Sequence, residues 1–381
     1  MPYESPDGLH WKRRPKEDSP GIMADRSTFF LNPFRRVWVL SLRENLCSGG
    51  PSKHMRARRY FEHAYAHFLP AKQGATTSHK YTPFLKSYYQ CQATRPNDPV
   101  PWFAVDRSDC AFGKCDVYNV DGLAYESILV HGLAVLTAPY IGGELKNNSI
   151  HLGFSRDGFH ISRPPAATAA QENRKLRTPF ISMPSSASNL QLASGSPILM
   201  REGTEEEELF FFFGYGTKAG FDLHNNEGSV YSKYEELTGL AALRRDGFVS
   251  LSSGAPGDRP GAGGLTTRPL GFSKENSLLF VNVRLGKGGS LKVEALSGDD
   301  ARPLCGASGP DAALLRGPID STRKELSWPG LRKYAGQSLR FRFTLERGEL
   351  YSFWVSSSSA GHSRGYLAGG ALGRSSILDA A

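Results

Sequence analysis

Apolar residues along this chain come in short runs of four to six, and several of them alternate with polar ones. Alternation is clearest near the end, where Leu339, Phe341, Phe343 and Leu345 interleave with Arg340, Arg342, Thr344 and Glu346. Period two puts one set on each face of a strand, so this is a half-buried antiparallel strand with one wet face. Leu350–Val355 returns after a turn at Gly348. Upstream, Leu278–Val283 and Leu291–Leu296 flank Gly286-Lys287-Gly288-Gly289, which predicts two strands joined by a turn. Further strands are predicted at Phe29–Leu31, Val37–Leu42, His151–Phe154, Pro197–Met200 and Gly239–Leu243. Ala124–Leu129 and Leu133–Leu136 form a candidate pair, and Arg58–His67 fits a strand or a helical turn. The unbroken run Leu209–Phe213 predicts a strand buried on both faces.

Between these runs one unit recurs. Ser5-Pro6-Asp7-Gly8-Leu9-His10-Trp11 and Ser155-Arg156-Asp157-Gly158-Phe159-His160-Ile161 share a pattern, and Arg245-Asp246-Gly247-Phe248 is a shorter version. Asp-Gly between strands predicts a type I′ hairpin, which needs positive φ at both central residues. Recurring strand, turn and strand predicts a radially repeated sheet architecture.

Composition agrees with an all-β fold. Of 381 residues 39% are hydrophobic, and Gly (41) and Pro (24) are frequent enough for many tight turns. The run Ile128–Tyr140 is broken by His131 and is too short for a bilayer, so no membrane span is expected. Residues 1–20 are polar and charged, unlike a signal peptide, and the opening on a hairpin signature implies that the chain starts partway through a larger architecture. Localisation and oligomeric state stay open.

A Gly/Pro/Asp-rich stretch at 254–264 separates a predicted propeller domain (1–253) from a predicted C-terminal β-sandwich (265–356). Residues 357–381, rich in Ser, Gly and Ala, read as a disordered tail.

Net charge is +9, with basic clusters at Lys12–Lys16 and Arg56–Arg59. These are read as solvated loop charge. With no RNA-binding signature or stacking motif beside them, a nucleic-acid partner is not expected. The five cysteines are irregularly spaced; Cys110 and Cys115 could bridge, but free thiols are the expectation. His63 and His67 follow Glu62 in an order that does not match a zinc protease, and neither a metal nor a cofactor is expected.

The order of these parts, with fragments such as Asp25–Pro33 and Tyr125-Glu126-Ser127, resembles the invertase and levanase glycoside hydrolases (family 32) and their relatives. The strings Leu265–Pro269 and Leu350–Val355 add to the likeness. The resemblance implies a five-bladed β-propeller, N-terminally incomplete here, followed by a β-sandwich, with a carbohydrate as partner. Its three acids would stand at the mouth of a funnel. Glu126 falls where the family has its proton donor, although Ser127 replaces the usual Cys. Asp25 falls near the family's Arg-Asp-Pro motif in reversed order and would bind sugar or stabilise the transition state. The complete nucleophile motif Asn-Asp-Pro-Asn is absent. Such catalysis needs a proton donor of raised pKa opposite an anion. Asp106, Asp121, Asn189 and Trp38 are the candidate substrate-binding residues; Trp11 and Trp102 are further stacking candidates. Three functions remain: a glycoside hydrolase-like enzyme, a carbohydrate-binding or scaffold propeller without catalysis, or, resting on charge alone, a propeller docking to another protein or an anionic polymer.

Overall fold

The computed structural model describes residues 3–5, 9–13, 26–47, 54–64, 100–109, 115–136, 148–165, 167–168, 175–182, 187–192, 197–217, 236–253, 261–367 and 377–379. It is an all-β protein with several discrete antiparallel sheets and a larger C-terminal sheet. Two compact units are present: Met1–Gly195 with Phe212–Leu240, and Ser196–Phe211 with Ala241–Ala381.

The first unit opens with β1 (Tyr3–Glu4) and β2 (Lys12–Arg13), an isolated antiparallel pair. Next comes a four-stranded sheet of β3 (Thr28–Asn32), β4 (Val37–Cys47), β5 (His54–His63) and β6 (Val100–Phe103), paired in chain order. A three-stranded sheet follows: β7 (Asp116–Tyr125), β8 (Ile128–Leu136) and β9 (Asn148–Ser155). Short pairs complete the unit: β10 (Ala167–Thr168) with β11 (Lys175–Leu176), and β12 (Ala187–Leu192) with residues 213–217. The four-stranded sheet packs through Phe30, Val39 and Tyr60 onto Leu129. A second cluster joins Val117, Val120 and Leu133 to Trp102, Phe103 and Ile161. Along β8 every residue from Leu129 to Leu136 is buried, His131 included. This is the strand hidden on both faces, a role the sequence pattern assigned to Leu209–Phe213.

Several expectations are corrected in this unit. The Ala124–Leu129 segment does not pair as a whole with Leu133–Leu136. Its middle is a turn: Tyr125 pairs with Ile128 around Glu126 and Ser127, so Ala124 faces Leu129 and Leu133 faces Val120. Arg58 and Arg59 are not solvated loop charge but buried residues of β5. Arg58 reaches the Tyr118 carbonyl, and the Arg56 guanidinium lies over the Tyr118 ring at 5.3 Å. Cys115 is buried and disulfide-bonded rather than a free thiol; its partner lies outside the described side chains. Cys305 is a free, exposed thiol.

The Asp-Gly unit at 155–161 is a turn of another type. Phe154 and Ser162 exchange backbone hydrogen bonds around Ser155–Ile161. Inside, the Asp157 Oδ1 accepts the amides of Phe159 (2.9 Å) and His160 (2.8 Å), and Ser155 Oγ accepts the amide of Gly158 (2.8 Å). Only Gly158 takes positive φ (+87°), so this is an aspartate-capped loop and not a type I′ turn. A Cβ on Gly158 would stand 2.7 Å from Asn32 Nδ2, which itself donates to the Asp157 carbonyl at 3.0 Å. Glu4 pairs with Lys12 around Ser5–Trp11. That closes a loop of the same span as the one between Phe154 and Ser162; Asp7 and Gly8 themselves lie outside the described residues. At the third unit Asp246, not Gly247, has positive φ (+56°), so it does not share the geometry.

In the second unit, β13 (Ile198–Met200) pairs with the first half of β14 (Glu208–Thr217). Leu209 and Phe211 are buried while Phe212 is 45% exposed, so the apolar run hides one face only. The strand β15 (Glu236–Arg244) leads into the third Asp-Gly. The C-terminal sheet has seven strands: β16 (Leu251–Ser252), β17 (Gly263–Thr266), β18 (Leu270–Gly271), β19 (Leu278–Ser297), β20 (Ala313–Arg316), β21 (Ile319–Leu326) and β22 (Ser338–Ser356).

The two predicted hairpin turns here do not exist. β19 and β22 are single long strands paired from Leu278↔Ser356 to Ser297↔Leu339. The Gly286–Gly289 segment is a bulge between Leu285↔Gly348 and Ser290↔Glu346. Bulges bend and twist the strand that carries them. A Cβ on Gly289 would meet the Arg347 carbonyl at 2.7 Å, and one on Gly348 the Arg284 carbonyl at 2.5 Å. Both halves of the bent pair feed one core: Leu279, Val281 and Val283 from one, Leu291, Val293, Phe341 and Phe343 from the other. The alternation of 339–346 is observed as predicted. Of the region predicted as a tail, residues 357–367 and 377–379 are described, with Tyr366 bridged to Leu378.

Candidate functional site

Among the described residues of the first unit, a polar cluster forms where the loop after β6 meets β9 and the segment around Arg163 and Arg177. The loop is built by reciprocal capping. Asp109 Oδ2 accepts the Asp106 amide (2.8 Å), Asp106 Oδ1 accepts the Ser108 amide (2.8 Å), and the Asp109 amide donates to the Asp106 carbonyl (3.1 Å). Short acidic side chains favour such turns because they satisfy nearby amides.

The buried Asp109 carboxylate receives Arg163 Nη1 at 2.6 Å and Arg177 Nη1 at 3.2 Å. Arg177 Nη1 also reaches Asp106 Oδ1 at 2.7 Å, and the Arg177 amide donates to the Ser108 carbonyl at 2.9 Å. The Arg163 guanidinium lies over Phe103, 5.7 Å from the ring centre. Exposure grades outward: the Asp109 side chain is fully buried, Arg177 is 17% exposed and Asp106 53%. Asp106 and Arg177 therefore present an acceptor and a donor on a rigid buried base.

The Arg177 hydrogen bond, against the cost of burial, holds the Asp106 carboxyl below the usual range. It is ionised at neutral pH and has no proton to give. On β9, Ser149 Oγ and His151 Nε2 are 3.1 Å apart. Burial first, then the Arg163 charge, pushes His151 down to about 4. The imidazole is therefore neutral at pH 7. Arg163 Nε and Nη2, Arg177 Nε and His151 Nδ1 are buried with no protein hydrogen-bond partner.

Of the residues singled out from sequence, this cluster contains Asp106. The others lie elsewhere. Asp121 is buried in mid β7 opposite Gly132, where its carboxylate meets the Asn119 amide and its carbonyl lies 3.2 Å from His131 Nδ1. Glu126 is not in a strand but in the β7–β8 turn, with φ +49°. Four residues, Gly122–Tyr125, separate it from Asp121. Trp38 on β4 pairs with Leu31 and packs against Phe29, ring centres 5.8 Å apart, with Phe29 half exposed. Trp102 is a core residue: its Nε1 donates to the Phe159 carbonyl (2.6 Å) and its ring meets Tyr60 at 5.3 Å. Trp11 is exposed. Asn189 belongs to β12, its side chain outside those described, and Asp25 lies outside the described residues altogether. Among the described residues no group of three His, Cys, Asp or Glu side chains is placed to hold a metal ion. No described helix is long and apolar enough to cross a membrane.

Asp109, Arg163, Arg177 and His151 were not singled out from sequence. Arg177 falls in a region read only as an extended loop, and the four meet solely through tertiary structure. The one local trace is the Asp-x-Ser-Asp spacing of 106–109, which marks a capped turn.

No protein-family model matches the chain, and no curated protein matches it. Among solved structures, an N-acetylgalactosamine deacetylase from F. plautii, in complex with blood group B trisaccharide, superposes with a TM-score of 0.33 at 11% identity. That match covers 58% of this chain and 50% of the deacetylase, so the chain spans half its length. A glycoside hydrolase family 43 arabinoxylan arabinofuranohydrolase from Bacillus subtilis, in complex with cellotetraose, gives a TM-score of 0.22 at 8% identity, over 87% of this chain and 66% of that one. The two are weak likenesses to carbohydrate-active proteins and neither is to the invertase and levanase group; similarity at this level assigns neither fold nor activity.

Proposed function

We propose that the chain is a carbohydrate-binding protein of propeller type that does not itself hydrolyse the glycan, with Asp106 and Arg177 as its sugar contacts. The observation that carries this is the 2.7 Å pair of a half-exposed carboxylate and a guanidinium braced by buried Asp109. Adjacent acceptor and donor groups held at fixed spacing match neighbouring hydroxyls of a pyranose, and charged partners strengthen such hydrogen bonds. The discrete antiparallel sheets support a propeller, and the bent β19–β22 pair around one core supports a sandwich after it.

The chemistry disfavours hydrolysis at this cluster. A glycosidase needs one carboxyl kept protonated opposite an ionised one. Asp106 is held ionised by its arginine. Asp121 is buried in mid β7, and Glu126 lies in the turn beyond the end of that strand.

The test is a glycan array followed by calorimetry with the wild type, Asp106→Ala and Glu126→Gln. Retention of a defined glycan, weakened at least tenfold by Asp106→Ala and unchanged by Glu126→Gln, is expected. Equal binding by Asp106→Ala would remove the cluster from recognition. Turnover of that glycan lost in Glu126→Gln would restore the hydrolase reading.

A further inference from the structure

A separate charge cluster lies wholly within the second unit. It joins Glu207 before β14, Arg245 after β15, Arg323 of β21 and Asp379. Arg245 donates from Nη1 to Glu207 (2.8 Å) and from Nη2 to Asp379 (2.8 Å). Arg323 donates to Glu207 (2.7 Å) and to the Ala360 carbonyl (2.7 Å), and lies 3.8 Å from Asp379. Asp379 also accepts the Ser363 amide at 2.8 Å and faces His362 Nδ1 at 3.2 Å. The Arg245 and Glu207 side chains are fully buried, and Asp379 is 1% exposed.

The two guanidiniums face three carboxylates, Glu207, Asp379 and Asp246, whose Oδ1 lies 3.8 Å from Arg245 Nε; Asp379 is the one that Arg245 Nη2 holds at 2.8 Å. The segment that brings it, Ile377–Asp379, is tied down by backbone bonds of 2.8 Å each: Arg364 N to the Asp379 carbonyl, Asp379 N to Gly365, and Leu367 N to Ile377. Of its two apolar side chains, Ile377 is 55% exposed and Leu378 is partly buried. The paired β19 and β22 instead rest on the main core of this unit. Elements with few buried apolar contacts open locally before the core does.

We infer that Ile377–Asp379 is a strap that opens as a unit while the β19–β22 core stays folded, and that the Asp379 carboxylate is its lock. When it lifts, the buried Arg245 Nη2 loses its 2.8 Å carboxylate partner, and the cost of leaving that donor unmet draws the strap back. Arg245 also stacks over Trp354, 5.4 Å from the ring centre, so opening loosens that aromatic neighbour as well.

Native-state hydrogen exchange on the full chain, in a series of low urea concentrations, tests this. The Arg364 and Leu367 amides are expected to exchange at least tenfold faster than Ala295, which donates to Ala307 within the core unit, and with little urea dependence. Asp379→Asn is expected to speed Arg364 and Leu367 at least tenfold further while leaving Ala295 unchanged. Exchange of the three amides at one rate with one urea slope would overturn the strap. So would an Asp379→Asn effect equal at Ala295 and Leu367. Should that variant fail to fold, the wild-type urea series decides alone.

Discussion

Arg245 Nη1 lies 2.8 Å from Glu207 Oε2, and neither side chain has any exposed surface. Thirty-eight positions of sequence separate the two. Removing one partner of such a pair leaves a charge without compensation in a low-dielectric interior. Glu207→Gln should destabilise the protein by about 3–5 kcal/mol, read from urea denaturation. Arg245→Met combined with Glu207→Leu should be markedly less harmful than either alone. A double variant as unstable as the sum of the singles would show that the pair does not couple.

Asp379 gives a pH dependence of defined sign. Burial works to raise its pKa, but the Arg245 charge and the Ser363 amide outweigh that and hold it well below the usual carboxylate value. A depressed folded pKa contributes stability that is complete above the unfolded value of about 3.9 and is lost as pH falls below it. The melting-temperature gap between wild type and Asp379→Asn should be constant from pH 5 to 7 and narrow as pH drops below about 4. A gap that widened in acid would contradict the assignment.

His131 and His151 also lose stability as pH falls, but over a higher pH range. Burial lowers each from 6.5 to about 4. The unfolded chain binds the proton first, so stability is full above about pH 6.5 and declines towards pH 4, by on the order of 3 kcal/mol per histidine. NMR titration should find both rings neutral at pH 6, and His131→Phe should flatten the decline.

The bulge opposite Gly348 predicts a steric result. Gly348→Ala would place a Cβ 2.5 Å from the Arg284 carbonyl, a backbone atom that cannot swing away. A loss of about 2 kcal/mol is expected in equilibrium unfolding. At Gly264, where a Cβ meets nothing within 4 Å, alanine should be tolerated within about 0.5 kcal/mol.

Glu126 makes the sharpest contrast between turn and active-site roles. Its φ of +49° suits glycine better than glutamate. Glu126→Gly should leave stability unchanged or raise it by up to about 1 kcal/mol, a change visible in the melting temperature. A fall of several degrees would show that the side chain's own contacts outweigh the backbone strain.

Local chemistry was legible in the sequence. Alternation at 339–346 fixed which side chains of β22 face the core, because a strand has no other way to sort them. Ser155-x-Asp157-Gly158 marked a turn, but the expected type I′ geometry gives way to an aspartate-capped loop whose hydrogen bonds close within a few residues. What the pattern could not decide was anything set by a distant partner. Gly286–Gly289 reads as a turn in isolation and becomes a bulge only because β22 runs past it, with Arg347 opposite at φ +48°. Glu126 reads as strand until Tyr125 and Ile128 pair across it. Asp109 meets Arg163 and Arg177, and Arg245 meets Asp379, across 54, 68 and 134 positions. Buried charges must find opposite charges wherever the fold places them, and that choice is made by packing in three dimensions rather than by spacing along the chain.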